Sequence, residues 1–386
     1  MRVLHAIGSL DPAGGGPPKI ALCIAAAQAA LGHDVRLVTT DPPSTDHRAN
    51  PLISDVPGAG AVELRGVGPA GALALLGLAS PPSGIAEEVE WADALHCHSV
   101  WEPLLPLLAS AASRRGTPYI VLLNGMLDPW SLSQSRVKKA LALKVAYRQF
   151  LSSASSLQVG NEDERALMEP LSLGVRTDII PNGVFMEEVE PLPEKGSFRA
   201  SLPELGDRRF VLFLSRLHFK KGLDVLADAY AKVAAALPDL RLVVAGPDDG
   251  YEDVFRRRVD EVGIADKVIM TGPLYGDRKW GAMVDAACFC LPSRQEGFSV
   301  AITEALACGC VPVITEGCHF PEVVTAGAGE VVALSGGAVA DALRRVLDHP
   351  EAALDQAARG QRLVRERYTW PAIGDQLIDL YREFGA

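Results

Sequence analysis

Short apolar runs alternate with stretches of helical period from the start of the chain: "RVLHAI", then "PKIALCIAAAQAALG", then "DVRLVTT", with "ALHCHS", "PYIVLLNG" and "SLQVGN" following. Strands that alternate with helices predict βαβ units and a parallel sheet. The segment Phe185 to Asp207 breaks the rhythm with acids and three prolines, and reads as an interdomain linker. A second series follows as "RRFVLFLSR", "LRLVVAGP", "KVIMTG", "ACFCLPS" and "VPVITE", each apolar enough to be buried on both faces. The last segment, "WPAIGDQLIDLYREF", has helical spacing and opens with Pro at an N1-like position. Residues 51–84, rich in Gly, Ala and Pro, read as a loop plus a weak helix inside the first domain.

Composition narrows the class. At 386 residues the chain fits two domains, and 48% hydrophobic with 22% charged residues is a globular balance. A net charge of −11 argues against a nucleic-acid partner. No window reaches the ~20 apolar residues of a membrane span, and "MRVLHAIGSL" reads as a first strand, not a signal peptide, so a cytoplasmic location is expected. Seven cysteines without a secreted framework are expected as reduced, buried thiols; Cys288/Cys290 and Cys308/Cys310 lack the usual C-x2-C spacing of a metal knuckle.

Open parallel sheets bind ligands beyond the carboxyl ends of their strands, where helix N-termini favour anions. In the first series the loops in that position are "GSLDPAGGGPP", "HCHSVW" and "NGMLDPW"; in the second they are "SRLHFKKG", "AGPDDGYED", "TGPLYGD" and "SRQEGFS". Arg216, Lys220 and Lys221 stand at the first strand-to-helix junction of the second series, where a guanidinium fork and an ammonium clamp a diphosphate or else form a solvated basic turn. In "EGFSVAITEALACG" Glu296 precedes a helix and Glu304 lies inside it. At 3.6 residues per turn the two acids do not converge on one point, so they flank an extended ligand. Backbone N–H groups near Gly297, Phe298 and Ser299 then meet an anion, while each carboxylate accepts from sugar hydroxyls. The plainer alternative is an exposed helix acid and an N-terminal dipole acid. The run Gly14 to Gly16 admits a ligand near the backbone but does not match the dinucleotide fingerprint G-x-G-x-x-G.

The motif "EGFSVAITE" resembles the E-x7-E element of the retaining glycosyltransferases of family 4. "SRLHFKKGLDVL", "VVAGP", "TGPLYG", "LPSRQEGFSVAITEALACGCVPVITEGCHFPEV" and a terminal "YTW...LIDLY" recur in that family's order, and "GGG", "LHCHSVW", "NGMLDPW" and "IPNGV" extend the likeness over the first domain. The resemblance implies the α/β GT-B fold of two facing Rossmann-like domains with parallel sheets. It implies an acceptor-side domain over residues 1–185, a nucleotide-sugar domain over 186–368, and a helix over 369–386 that returns to the first domain. It makes Arg216 and Lys221 the clamp on the donor diphosphate, with Glu296 beside them at the transferred sugar. Gly297, Phe298 and Ser299 would support that sugar, Glu304 would take the ribose, and Pro273, Leu274 and Tyr275 would flank the base. Gly15 and Gly16 would approach the phosphates. Asn124 stands where relatives carry His, and would reach the donor sugar by a neutral hydrogen bond. His98, Trp101 and Asp128, on loops of the first domain, are the acceptor-side candidates.

The implied reaction moves a hexose from a nucleoside-diphosphate sugar, expected as UDP-linked, to a saccharide or lipid-linked saccharide in polysaccharide synthesis. No D-x-D motif is present to hold a metal, and neither metal nor other cofactor is expected beyond the nucleotide sugar itself. The helix Ser135 to Phe150 carries Arg136, Lys138, Lys139, Lys144 and Arg148 among apolar residues, which allows peripheral docking on anionic lipid at the inner face of the plasma membrane, or simply a solvated basic face. Two other activities share such a fold: a sugar-nucleotide epimerase or phosphorylase, and a nucleotide-sugar-binding protein without turnover.

Overall fold

The computed structural model describes residues 1–11, 16–42, 44–45 and 50–386. They form two compact units, residues 1–182 with 370–386, and residues 183–369. The last helix, Trp370–Glu383, thus belongs to the N-terminal unit.

The N-terminal unit is built on a parallel sheet of seven strands: β1 (Arg2–Ala6), β2 (Asp34–Thr39), β3 (Glu63–Gly66), β4 (Ala94–His98), β5 (Tyr119–Leu122), β6 (Ser156–Val159) and β7 (Thr177–Ile179). Their order is β3-β2-β1-β4-β5-β6-β7, so the direction of winding reverses between β1 and β4. Side chains alternate across the sheet. Leu4, Ala6, Leu95 and Cys97 join one apolar core with the helix Leu104–Arg115. His5, His96 and His98, at the intervening positions, are all buried. On β1 and β4 the register pairs His5 with His96. His5 Nε2 lies 2.9 Å from Gln28 Oε1 on the helix Gly16–Ala30, and His5 Nδ1 lies 2.8 Å from His98 Nε2. Gln28 Nε2 donates to Tyr381 Oη at 3.3 Å, and Tyr381 Oη lies 2.7 Å from His96 Nδ1. With Gln28 Oε1 as acceptor, His5 donates from Nε2 and its Nδ1 accepts from His98 Nε2, while Gln28 donates on to Tyr381. His5, donating from one ring nitrogen and accepting at the other, is then neutral. Burial pushes His5 down to about 4 and holds His96 and His98 well below the ordinary histidine range. This polar layer ties the C-terminal helix to the sheet.

The second unit carries a six-stranded parallel sheet: β8 (Phe210–Leu214), β9 (Arg241–Ala245), β10 (Val268–Gly272), β11 (Cys288–Leu291), β12 (Pro312–Thr315) and β13 (Glu330–Val332). The order is β10-β9-β8-β11-β12-β13, with the reversal between β8 and β11. Its core is almost wholly apolar, with Phe210, Phe213, Phe289 and Tyr230 fully buried. All seven cysteines of the chain are buried, and none forms a disulfide.

Three differences from the sequence reading have physical causes. Residues 185–207 are no linker: Val189 and Phe198 enter the core of the second unit, and Asp285 accepts from the backbone N–H of Gly196 and of Arg199. The prolines there break regular structure without freeing the chain from the fold. Residues 51–84 hold the edge strand β3 as well as short helices. Residues 135–150 are not one regular helix. They pass from Arg136–Ala142 through a π-helical turn, Leu143–Tyr147, into Arg148–Ser152.

Candidate functional site

In open parallel sheets the crevice for a ligand opens where the strand order reverses. In the second unit that place lies beyond the ends of β8 and β11. The loop after β8 ends in a single 3-10 turn, Phe219–Lys221, capped by His218, whose Nδ1 accepts from the backbone N–H of Lys220 at 3.1 Å. Gly222 follows with φ 67°, and a Cβ there would collide with the carbonyl oxygen of Pro292 just past β11. Glycine therefore lets the two loops touch. The backbone N–H of Arg294 donates to Lys220 O at 2.7 Å, and Arg294 forks onto Asp224 at 2.6 and 2.9 Å.

This close approach brings Lys221 onto Glu296. The ammonium Nζ lies 2.7 and 2.8 Å from the two carboxylate oxygens, with side chains 13% and 8% exposed. Ser293 donates its hydroxyl to the same carboxylate at 2.5 Å. The backbone N–H of Glu296 donates to Gly317 O at 2.8 Å, so the acid is anchored at both ends. Gly297, Phe298 and Ser299 lead from it into the helix Val300–Ala307, whose first turn receives no side-chain cap from Ser299. Phe298 packs in a ring cluster with Phe320 and Tyr368 at 5.4 and 6.0 Å between centroids. An ammonium, a carboxylate and an uncapped helix N-terminus thus adjoin one another. Together they suit a ligand with both anionic and hydroxyl groups.

Glu304 lies inside that helix and meets Lys279 at 2.8 Å, an ion pair between side chains 13% and 18% exposed. Lys279 Nζ also stands 3.7 Å from the centre of the Trp280 ring. Pro273, Leu274 and Tyr275 connect β10 to the helix Gly276–Asp285; Leu274 is buried, whereas Tyr275 is 76% exposed. Arg216 is apart from Lys221's partners. It pairs with Asp249 at 2.6 Å in an exposed bridge.

In the N-terminal unit Gly15 lies outside the described residues, while Gly16 opens the helix Gly16–Ala30. Asn124 follows β5 in a left-handed conformation, φ 51°, and among the described residues its buried Nδ2 has no hydrogen-bond partner. Its neighbour Gly125 donates its N–H to the buried carboxyl of Glu164, which also accepts from Gly160 N–H. Asp128 is a cap: Oδ1 accepts from Ser131 N–H at 2.5 Å at the start of the helix Pro129–Ser133. Trp101 donates from Nε1 to Met126 O at 3.3 Å and stacks obliquely on Tyr147. His98 is fully buried in the polar layer, and among the described residues its Nδ1 has no hydrogen-bond partner.

Sequence reasoning passed over Ser293, Lys279, Glu164 and Glu102. Ser293 lies in the loop "SRQEGFS", where a serine carries no local signal of its bond to Glu296. Lys279 sits in a helix in an unremarkable polar pattern, and nothing local signals its partner 25 positions on.

Comparison with known proteins decides the family. Residues 194–363 match the model of glycosyl transferases group 1, and residues 15–183 match the glycosyl transferase 4-like domain. The chain is a family 4 glycosyltransferase. Over 99% of its length, and 97% of the relative's, this glycosyltransferase is 26% identical to the GDP-mannose:cellobiosyl-diphosphopolyprenol alpha-mannosyltransferase of Xanthomonas oryzae pv. oryzae. It is 28% identical to the lipopolysaccharide core biosynthesis mannosyltransferase LpsB of Rhizobium meliloti over 48% of this chain and 53% of that one. Among solved structures it resembles sucrose-phosphate synthase of Thermosynechococcus elongatus, with TM-score 0.70 and 21% identity over 99% of this chain and 98% of that one. It also resembles the Anabaena protein HepE solved with UDP, with TM-score 0.76 and 19% identity over 99% and 100%. The two parallel-sheet units of the glycosyltransferase are those of the GT-B fold.

Proposed function

We propose that this glycosyltransferase moves a hexose, with retention and without a metal, from a nucleoside-diphosphate sugar to a saccharide or lipid-linked saccharide. The observation that carries the reading is the buried Lys221–Glu296 pair beside the uncapped helix N-terminus where the strand order reverses. Negative charge builds on the diphosphate as the anomeric bond breaks. An ammonium held in place by Glu296 answers that charge without reorganising at the moment of reaction. Glu296 then takes hydroxyls of the transferred sugar, and Glu304 takes the ribose once Lys279 yields it. The bond from the anomeric carbon to the diphosphate oxygen breaks, the bond to the acceptor oxygen forms on the same face, and the departing diphosphate accepts the acceptor's proton. The exposed guanidinium of Arg216 joins the clamp by leaving Asp249.

For the donor, the relative aligned over nearly the whole chain is named for GDP-mannose. That favours GDP-mannose over the UDP-linked donor expected from the sequence, because the UDP complexes among the solved structures lie below 25% identity. The same relative's acceptor, a diphosphopolyprenol-linked disaccharide, makes a lipid-linked saccharide the acceptor class to test first.

Residues 136–152 favour peripheral membrane contact. Val137, Leu141 and Val145 are 83%, 62% and 54% exposed, an apolar face beside Arg136, Lys138 and Lys144. Lys139 and Arg148 are already engaged, with Ser131 and with the carbonyls of Leu171 and Ser172. Flotation with anionic vesicles is expected to carry the protein upward, and to fail for the variant with Arg136, Lys138 and Lys144 replaced by Gln. Equal flotation of both removes this contact from the reading.

The deciding experiment is a transfer assay with GDP-mannose and UDP-glucose as donors and a polyprenyl-diphosphate disaccharide as acceptor, run with and without chelator. Transfer with retained configuration that survives chelation is expected, with GDP-mannose the better donor. Turnover that requires added magnesium overturns the metal-free clamp. Interconversion of the donor sugar without any acceptor overturns the transferase reading.

A further inference from the structure

The N-terminal unit has its own point of strand-order reversal, between β1 and β4, and an acid, Glu102, stands there outside the donor site. Glu102 lies in the loop that joins β4 to the helix Leu104–Arg115. Its carboxyl reaches across to the end of β1, where Gly8 N–H donates to it and where a Cβ on Gly8 would collide with Oε2. Glycine at position 8 is thus what admits the carboxyl. Oε2 is buried, yet among the described residues it has no hydrogen-bond partner. Burial raises the carboxyl to about 6.

A buried carboxyl oxygen with nothing to accept from costs free energy, and native structures tend to leave such atoms only where a ligand or water completes them. The titratable groups that bear on the same carboxyl are Cys97 of β4 and Tyr147 of the π-helical turn, both shifted upward and both neutral near pH 7. No lysine or arginine answers the carboxyl among the described interactions. We propose that Glu102 is the group with which the N-terminal unit grips its acceptor, Oε2 accepting a hydrogen bond from a hydroxyl of the acceptor sugar at the β1/β4 crevice. The chemistry selects a neutral donor. A hydroxyl supplies one proton and gives up little hydration on entering, whereas a phosphate meets like charge and an ammonium must shed a strong hydration shell. The site lies in the crevice that doubly wound sheets offer to ligands. The hydroxyl it holds orients the sugar; the proton of the attacking hydroxyl still leaves on the diphosphate. The proposal rests on the transferase reading above and names the acceptor contact within it.

Glu102→Gln tests it, because the amide keeps an oxygen for Gly8 N–H while the other position becomes a donor. Transfer to the saccharide acceptor and hydrolysis of the donor in its absence are measured on the same preparations, and saccharide binding is titrated separately by calorimetry with nucleoside diphosphate present. The expected result is a loss of roughly ten- to hundredfold in kcat/KM for the acceptor, with donor hydrolysis and nucleotide affinity unchanged. Glu102→Asp, which retracts the same carboxyl by one methylene, is expected to lose less and serves should the amide fail to fold. Acceptor kinetics and saccharide binding equal to wild type in either folded variant overturn the proposal. So does a parallel loss of transfer and donor hydrolysis, which marks a structural acid. If the wild type transfers nothing but binds saccharide, and Glu102→Gln weakens that binding, the transferase reading falls and the saccharide contact stands.

Discussion

The two sheets of this glycosyltransferase reverse direction at equivalent places, β1/β4 in one unit and β8/β11 in the other, and each place holds a carboxyl and a glycine: Gly8 makes room for the Glu102 side chain, while Gly222 lets two loops touch. The carboxyls are provided for differently. Glu296 has Lys221 on both oxygens and the Ser293 hydroxyl as well, so its charge is balanced before any ligand arrives. Glu102 has one backbone donor and an oxygen left over, and burial raises it to about 6. A balanced acid with a cation in tow suits a ligand that is itself charged, because ion and counter-ion are exchanged in one step. An unbalanced acid suits a neutral hydroxyl.

The comparison breaks most visibly at Lys221. Lys221→Ala is expected to cut transfer by roughly two to three orders of magnitude, since the leaving diphosphate loses a preorganised cation. It should also destabilise the second unit by about 3 kcal/mol, because a buried carboxylate is left without its counter-charge. Steady-state kinetics and thermal melting read both effects; an unchanged rate in a folded variant would remove Lys221 from the clamp.

Acid distinguishes the units next. A histidine whose folded pKa is lowered contributes stability that is present above its unfolded value near 6.5 and is lost as the pH falls toward the folded value. For His5, lowered to about 4, that window spans pH 6.5 to 4 and amounts to about 3 kcal/mol, with His96 and His98 acting in the same direction. Amide exchange in β1, β4 and the helix Trp370–Glu383 is therefore expected to accelerate through that range while β8 and β11 hold. Uniform acceleration in both units would show that the polar layer is not the acid-sensitive part.

A smaller effect is expected at Lys279. Lys279→Met leaves Glu304 without its cation, which should lower melting slightly and raise affinity for a free nucleoside diphosphate severalfold, as ribose hydroxyls no longer compete with an ammonium. Weaker binding by calorimetry would show that Lys279 itself holds the nucleotide. Smallest is Asn124, whose unpartnered Nδ2 awaits an acceptor atom. Asn124→Ala should reduce turnover about tenfold and leave free nucleotide affinity unchanged. Asn124→Gly, which relieves the left-handed backbone, separates loss of the amide from strain. Equal turnover in both variants and wild type would make Asn124 a turn residue only.

Much of this was legible in one dimension. The long buried strands announce themselves as apolar runs, and Glu296 and Glu304 stand out because their spacing around a strand, loop and helix is characteristic. The short strands were not legible. β3, β7 and β13 have 4, 3 and 3 residues and no fully buried position, so no apolar run marks them. Residues 185–207 misled for a related reason: prolines and acids report the absence of regular backbone, while Val189 and Phe198 report burial, and only packing shows which prevails. Glu102 was invisible because a lone glutamate after a tryptophan has no local signature. It acquires meaning from Gly8, ninety-odd positions earlier, once β1 and β4 are neighbours.

What the sequence determined by itself was the alternation of strand and helix, the division into two α/β series and the loops beyond the strand ends, because each is set by the order of apolar and polar residues within a few turns. What the tertiary structure decided was partnership. Lys221 meets Glu296 across 75 positions, Gln28 meets Tyr381 across 353, and Glu102 is left with an oxygen to spare. Such pairings depend on strand order, on the side chain that Gly8 admits and on the close backbone approach at Gly222, and electrostatics and hydrogen bonding fall off over ångströms of space, to which separation along the chain is blind.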